Sequence, residues 1–269
     1  MAKTKKISVV LATYNEARNI RNCLVTVKDI ADEMIVFDES STDRTRQLAR
    51  QMGAKVFKVK HEPIFHVTKQ KAIDKAKGEW ILQLDADERI TPQLRREIKR
   101  EIKKDDNKYS AYYIKRKNYF LDKWMRGSGM WPDSVIRLFR KGEARLPQKS
   151  VHEQMEVDGK VGTLNNPMEH FTAPTFSKYL TNANRYTTLT ALELEKKGLP
   201  INFGTFFNYV FWKPTKTFLN LFIRHKGFID GAYGFVFDLF SGLHHTIAYF
   251  KYWQLRNNPE IKEEMVDWR

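Results

Sequence analysis

Three carboxylates crowd into four residues at Asp85-Ala86-Asp87-Glu88. Carboxylates this close repel one another unless a cation sits among them. A hard divalent ion suits the place: Mg²⁺ or Mn²⁺ prefers oxygen ligands and often bridges carboxylates to the phosphates of a substrate. A solvated acidic turn is the plainer alternative, and the spacing alone does not decide between them. An EF-hand loop also opens Asp-x-Asp, but Ile90 stands where that loop needs glycine, so calcium sensing is excluded. A second constellation, His152-Glu153-Gln154-Met155-Glu156, has the start of a zinc-protease motif, but Glu156 stands where its second histidine must be. The chain has no Gly-x-Gly-x-x-Gly and no Gly-Lys-Ser/Thr, so neither a dinucleotide fingerprint nor a P-loop is present.

The elements around these residues can be read from apolar spacing. Ile7 to Ala12 is an apolar run of strand length, and Ile20, Cys23, Leu24, Val27 and Ile30 then recur at helical spacing. Met34 to Phe37 is a second strand, and Ser40-Ser41-Thr42-Asp43 supplies turn and cap residues for a helix through Met52, with Gly53 as its stop. Val56 to Val59 is a third strand. A helix with Val67, Ala72, Ile73 and Ala76 follows and stops at Gly78, and then comes the strand Trp80 to Leu84. Thr91-Pro92 opens a further helix. This alternation predicts an α/β fold, a mostly parallel sheet with helices on both faces. In such sheets ligands sit beyond the carboxyl ends of the strands. Asn15-Glu16, Asp38-Glu39 and Asp85-Asp87 all follow strands, so the three polar clusters should converge on one edge.

Three stretches carry a family resemblance: Thr13-Tyr14-Asn15-Glu16, then Val36-Phe37-Asp38-Glu39-Ser40-Ser41-Thr42-Asp43-Arg44-Thr45, then Ala76 to Glu88. Together they resemble glycosyltransferase family 2, whose catalytic domain has the Rossmann-like GT-A fold. Arg137-Leu138-Phe139-Arg140, Val151-His152-Glu153, Glu169-His170-Phe171 and Asn184-Arg185-Tyr186 resemble the branch that holds bacterial lipopolysaccharide-core glucosyltransferases. The resemblance implies a GT-A domain over residues 1–175 and a helical C-terminal region over 176–269. It places Thr13, Tyr14, Glu16, Asp38 and Glu39 around the base and ribose of a nucleotide-sugar donor, with Lys69 and Asp85 also on the donor. Asp85 and Asp87 match the metal-binding Asp-x-Asp, and His170 is a further candidate ligand for metal or diphosphate. Glu39 stands where the family pattern has Asp or a small residue, and Gln70 where relatives often carry Asn.

The reaction implied is inverting hexosyl transfer, with glucose from UDP the first expectation. The acceptor is a hydroxyl of a lipopolysaccharide core, a glycan or a lipid-linked molecule. The leaving diphosphate needs neutralising, which Mg²⁺ or Mn²⁺ does as a Lewis acid, and the acceptor hydroxyl needs a base. Glu153 is the first candidate and Asp133 the second. Arg137 and Arg140 could steady phosphate or be cations on a strand face. A polyprenyl-phosphate sugar transferase, whose acceptor needs no strong base, and a non-catalytic nucleotide-sugar-binding or scaffold protein are the alternatives.

Composition narrows the setting. The chain has 269 residues, 42% of them hydrophobic, one cysteine and a formal charge of +15. One thiol permits no internal disulfide, which fits a reducing, cytoplasmic setting. The apolar run after Lys3, Lys5 and Lys6 is too short for a signal-peptide core. The charge points to an anionic partner, but no nucleic-acid motif is present and no motif specifies an oligomeric state. From Phe203 to Trp253 lie 17 of the 35 aromatic residues, interspersed with Lys213, Lys216, Arg224, Lys226 and Lys251. Phe228 to Phe250 is long enough to span a bilayer but carries Asp230, Asp238, His244 and His245, which disfavours spanning. The segment is expected to lie in the interface of an anionic membrane, at its cytoplasmic face. Packing on the catalytic domain or in a dimer interface is the alternative.

Overall fold

The computed structural model describes residues 6–62, 64–104, 108–147 and 154–262. The chain divides into two compact units, one of residues 1–117 and 133–170, the other of 118–132 and 171–269.

The first unit opens with β1 (Ile7–Thr13), α1 (Ile20–Val27), β2 (Glu33–Asp38), α2 (Thr45–Gln51), β3 (Lys55–Lys58), α3 (Phe65–Lys75) and β4 (Trp80–Leu84). Strands β3-β2-β1-β4 lie side by side and all run parallel. Every residue of β1 and β4 is buried, as a strand covered on both faces requires. Alternate residues of β1 feed two cores. Ile7, Val9 and Leu11 join α1 residues Ile20, Cys23 and Leu24, while Val10 joins Ala72 and Ile73 of α3. Gly53 takes φ +89° just past α2, the left-handed stop that only glycine adopts without strain. Helix α3 ends at Lys75, three residues ahead of Gly78.

Beyond β4 the chain makes β5 (Glu88–Ile90), α4 (Pro92–Lys103), β6 (Ala111–Phe120), β7 (Lys123–Trp124), β8 (Asp133–Arg140), β9 (Ala144–Arg145), β10 (Glu156–Val157), β11 (Val161–Thr163) and β12 (Met168–Ala173). Thr91 caps α4, its hydroxyl accepting from the Leu94 N–H at 3.2 Å, with Pro92 at the first turn. The sheet continues from β4 in the order β8-β6-β12-β5. The β4–β8, β8–β6 and β12–β5 pairs are antiparallel. The strand–helix alternation gives the parallel half and the helices on both faces, as expected, and the antiparallel extension adds to it.

The second unit is mostly helical: α5 (Phe176–Lys196), α6 (Phe203–Phe207), α7 (Lys213–Leu219) and α8 (Ala232–Asn257). A π-helical turn at Asn208–Trp212 carries α6 into α7, and another follows at Asn220–Arg224. The aromatic-rich helical C-terminal region predicted from sequence is present. Its core packs Ala191 and Leu194 of α5 against Tyr209 and against Tyr249, Tyr252 and Leu255 of α8. The loop before Asp133 is tied to the turn ahead of α8. The Asp230 carboxylate accepts from the N–H groups of Arg126 (2.9 Å) and Gly127 (2.7 Å), and Lys123 Nζ donates to the Asp230 carbonyl. Among the described residues no helix is long and apolar enough to cross a membrane.

Candidate active site

Strand β4 delivers Asp85 to the end of the sheet, and β5 starts three residues later at Glu88. Because β12 pairs antiparallel with β5, His170 sits opposite Glu88 in register. Strand β8, beside β4, brings Arg137 to the same place, and α3 brings Lys69. The result is one ionic network. Asp85 is held from both sides, with Lys69 Nζ 2.5 Å from Oδ1 and Arg137 Nη2 2.6 Å from Oδ2. Arg137 also donates to Gln83 Oε1 at 2.5 Å and to Glu88 Oε1 at 2.7 Å. Glu88, fully buried, accepts from the Asp85 N–H at 3.0 Å. Arg116 lies 3.6 Å from Glu88 and donates to Asp133 Oδ2 through Nε (2.9 Å) and Nη2 (2.6 Å). Asp87 Oδ2 faces His170 Nε2 at 3.6 Å.

Burial alone would raise the pKa of Asp85, but Arg137 and Lys69 outweigh it and hold the carboxyl well below the usual range. Burial likewise disfavours charge on Arg137, and Asp85 and Glu88 more than reverse it. Both groups therefore stay charged, each held so by its partners.

A second cluster stands at the ends of β1, β2 and β3. Asp38, fully buried, accepts from Thr13 Oγ1 (3.1 Å), Ser41 N–H (2.9 Å) and Ser41 Oγ (2.5 Å). Glu39, also fully buried, meets His61 Nδ1 at 2.6 Å and accepts from Thr68 Oγ1 at 2.5 Å. Burial raises the pKa of Glu39, against the pull of Thr68 and His61. The rings of Tyr14 and His61 lie 5.3 Å apart at the rim. Asn15 takes φ +53°, a left-handed conformation that Asn tolerates. Its Oδ1 accepts from the Thr42 N–H at 2.8 Å, fastening the loop after β1 to the loop after β2.

The sequence-predicted residues thus fall into two groups. Asp85, Asp87, Lys69, His170 and Asp133 belong to the ionic network, and Thr13, Tyr14, Asp38 and Glu39 to the second cluster. Glu16 stands at the start of α1, accepting from Asn19 Nδ2 at 2.8 Å, with its N–H on Thr45 Oγ1 at 2.7 Å. Glu153 lies outside the described residues. Sequence reasoning missed Arg116, Gln83, His61 and Thr68. His61 carried a usable signal, since it follows strand β3 as Asn15 and Glu39 follow theirs. Arg116 carried none, because it sits in a basic run that reads as a solvated face.

The donors suit a divalent ion in part. Among the described residues, no group of three or more His, Cys, Asp or Glu side chains is positioned to hold a metal. Asp87 and His170 face each other with side-chain exposures of 26% and 11%, so both are reachable. Both oxygens of Asp85 are occupied by Lys69 and Arg137. These two side chains could hold an ion only with further ligands from a substrate, as Mg²⁺ takes from phosphates.

The chain resembles a set of known proteins. Residues 8–206 match the profile described as glycosyl transferase family 2. An uncharacterized glycosyltransferase of Rickettsia bellii is 31% identical over 246 residues, covering 87% of this chain and 81% of that protein. The lipopolysaccharide core biosynthesis glycosyltransferase LpsC of Rhizobium meliloti is 25% identical over 274 residues, covering 96% and 97%. Among solved structures, S. aureus TarS 1–349 in complex with UDP-GlcNAc aligns over 96% of this chain and 91% of that one, at 17% identity and a TM-score of 0.48. Glucosyl-3-phosphoglycerate synthase from Mycobacterium tuberculosis aligns over 74% and 82%, at 16% identity and a TM-score of 0.46. The chain belongs to glycosyl transferase family 2.

Proposed function

We propose that this glycosyltransferase moves a hexose, glucose first among candidates, from a UDP-linked donor to a hydroxyl with inversion. The acceptor is a lipopolysaccharide core, a glycan or a lipid-linked molecule met at the cytoplasmic membrane face. The observation that carries the donor site is the paired network at the sheet's carboxyl edge. There Asp85 is paired with both Lys69 and Arg137, and Asp87 stands with His170 beside them. Thr13, Tyr14, Asp38 and Glu39 would line the base and ribose, and Glu16 would approach the same end. Asp87 and His170 would hold Mg²⁺ or Mn²⁺, with Asp85 fixing the two cations next to the diphosphate. A metal bound there supplies Lewis-acid neutralisation of the departing diphosphate.

Three cations of the network (Lys69, Arg116, Arg137) face four carboxylates (Asp85, Asp87, Glu88, Asp133). The carboxylates outnumber these cations by one, so an anionic donor is favoured once a divalent cation accompanies it. In the transfer, the acceptor oxygen bonds to the anomeric carbon. The bond from that carbon to the diphosphate oxygen breaks, its electron pair leaving with the diphosphate. Glu153 takes the hydroxyl proton. Asp133, with Oδ2 engaged twice by Arg116, is the second candidate base. The name of the full-length relative LpsC supports a lipopolysaccharide-core acceptor.

The test is titration of UDP-glucose, UDP-galactose, UDP-N-acetylglucosamine and GDP-mannose, with and without Mn²⁺, on the wild type and on Asp87→Ala. One donor should bind in a Mn²⁺-dependent way, and Asp87→Ala should weaken it at least tenfold. A folded protein that binds no nucleotide sugar would overturn the proposal. An unaltered rate in Glu153→Gln would move the acceptor from a hydroxyl to a phosphate.

A further inference from the structure

Helix α8 is apolar on two faces. One face is covered: Gly234, Gly242, Tyr249, Tyr252 and Leu255 are buried within the second unit. The other carries Phe235, Leu239, Ile247, Phe250 and Trp253, which are 37 to 49% exposed. At 100° per residue these five fall within an arc of about 120°. That is the stripe of a helix with something to lie against, and the chain's described residues do not cover it. The segment before α8 adds more of the same, with Phe203 at 82% exposure and Phe207, Phe211, Trp212 and Ile223 all above half. Phe203, Phe206, Tyr249, Phe250, Trp253 and Ile201 line a groove of about 410 Å³. Single exposed apolar side chains need no explanation, but an aromatic surface of this extent does.

The charge pattern says what covers it. Between Phe203 and Asn257 the charged residues are Lys213, Lys216, Arg224, Lys226, Lys251, Arg256, Asp230 and Asp238. Both acids are fully buried. Every charge this segment presents to solvent is therefore positive. Lys213, over the buried Tyr209 ring at 3.6 Å, directly follows the exposed Phe211 and Trp212 in the chain. A segment of exposed aromatics whose own exposed charges are all cations matches an anionic lipid surface, where rings sit at headgroup depth and lysines meet phosphate.

We propose that this face of the second unit seats on an anionic phospholipid bilayer, α8 lying along the headgroup plane and the Phe203–Trp253 groove receiving an acyl chain. The inference deepens the function proposed above by naming the surface that meets the membrane. It predicts peripheral attachment without a spanning helix.

The test uses the full chain with vesicles of phosphatidylcholine alone or with 30% phosphatidylglycerol, read by co-sedimentation. Binding should require phosphatidylglycerol. Neutralising Lys216 and Arg224 together (Lys216→Gln, Arg224→Gln) should lower partitioning roughly 25-fold, about fivefold per cation. Phe250→Ser with Trp253→Ser should lower it at least tenfold. All four side chains are exposed, and urea unfolding checks that each variant is folded. Equal binding to neutral vesicles, or none to either kind, overturns the proposal. So does a stable dimer that buries the stripe and ignores vesicles. Vesicle binding without donor binding would leave this inference standing and remove the transferase one.

Discussion

Arg137 is the side chain on which the candidate site turns. Its guanidinium meets Gln83, Asp85 and Glu88 at once, and Glu88 has no exposure to water. Removing it leaves the buried Glu88 with only Arg116, 3.6 Å away, as an ion-pair partner and Asp85 with Lys69 alone. Arg137→Met should therefore cost about 3–5 kcal/mol, read from urea unfolding, the usual penalty for orphaning one side of a buried pair. Donor affinity should fall with it. Arg137→Lys should recover only part of either loss, because an ammonium cannot reproduce the planar fork. The sign of the pH effect follows from Asp85. A carboxyl held below its unfolded value contributes stability above about pH 4 and loses it as the pH falls through the lowered value. Among these residues Asp85, Asp87, Lys69 and Arg137 were visible in the sequence because they lie in or beside motifs. Gln83 and Glu88 read only as a strand residue and an extra acid. Their roles depend on β8 arriving beside β4, which no local pattern announces.

At the scale of elements, the first hundred residues were the most legible. Burial on both faces makes β1 and β4 continuous apolar runs, and the helices between them show their apolar spacing openly. The stretch after Ser110 was not legible, for a physical reason. Strand β6 carries Lys115, Arg116 and Lys117 between apolar residues, and charge so dense hides the period-2 alternation of a strand. The two π-helical turns were also hidden, since a shift of hydrogen-bond partner leaves no mark in composition. Helix α8 was foreseen as aromatic and helical, but not its buried acid. Asp238 sits near Asp230, Ser128, His225 and Tyr179, and a methyl group on Gly227 would come within 1.9 Å of its Oδ2. Burial, then Asp230, pushes its pKa up to about 6, against Ser128 and His225. The folded chain thus keeps a proton that the unfolded chain has released, so Asp238 lowers stability as the pH rises from about 4 to 6, and no further above that. Thermal melts of Asp238→Asn and wild type should diverge across that window. The variant should melt a few degrees higher at pH 7.5; curves that stay parallel from pH 4 to 8 would refute this reading.

Taken whole, the chain spends its +15 unevenly. The ionic network around Asp85 is nearly balanced, while the segment from Phe203 to Asn257 shows only cations to water. Net charge predicts an anionic partner, and the burial of Asp230 and Asp238 supports the face proposed for it. One further property belongs to the molecule as a whole, namely that its 269 residues carry a single thiol. Cys23 is fully buried under the site, with Sγ 3.6 Å from the Asp85 carbonyl oxygen. Burial, then Glu88 and Asp87, pushes its pKa well above the ordinary value, so the thiolate that alkylating reagents need is scarce as well as shielded. The protein therefore carries its own stopwatch. Alkylation followed by mass spectrometry has one place to happen, and each event records a moment when the floor beneath Asp85 came apart. In native buffer the reaction should run at least a thousandfold slower than in urea, the ratio being the protection factor of that floor. Labelling at the rate of a free thiol would mean that the floor stands open.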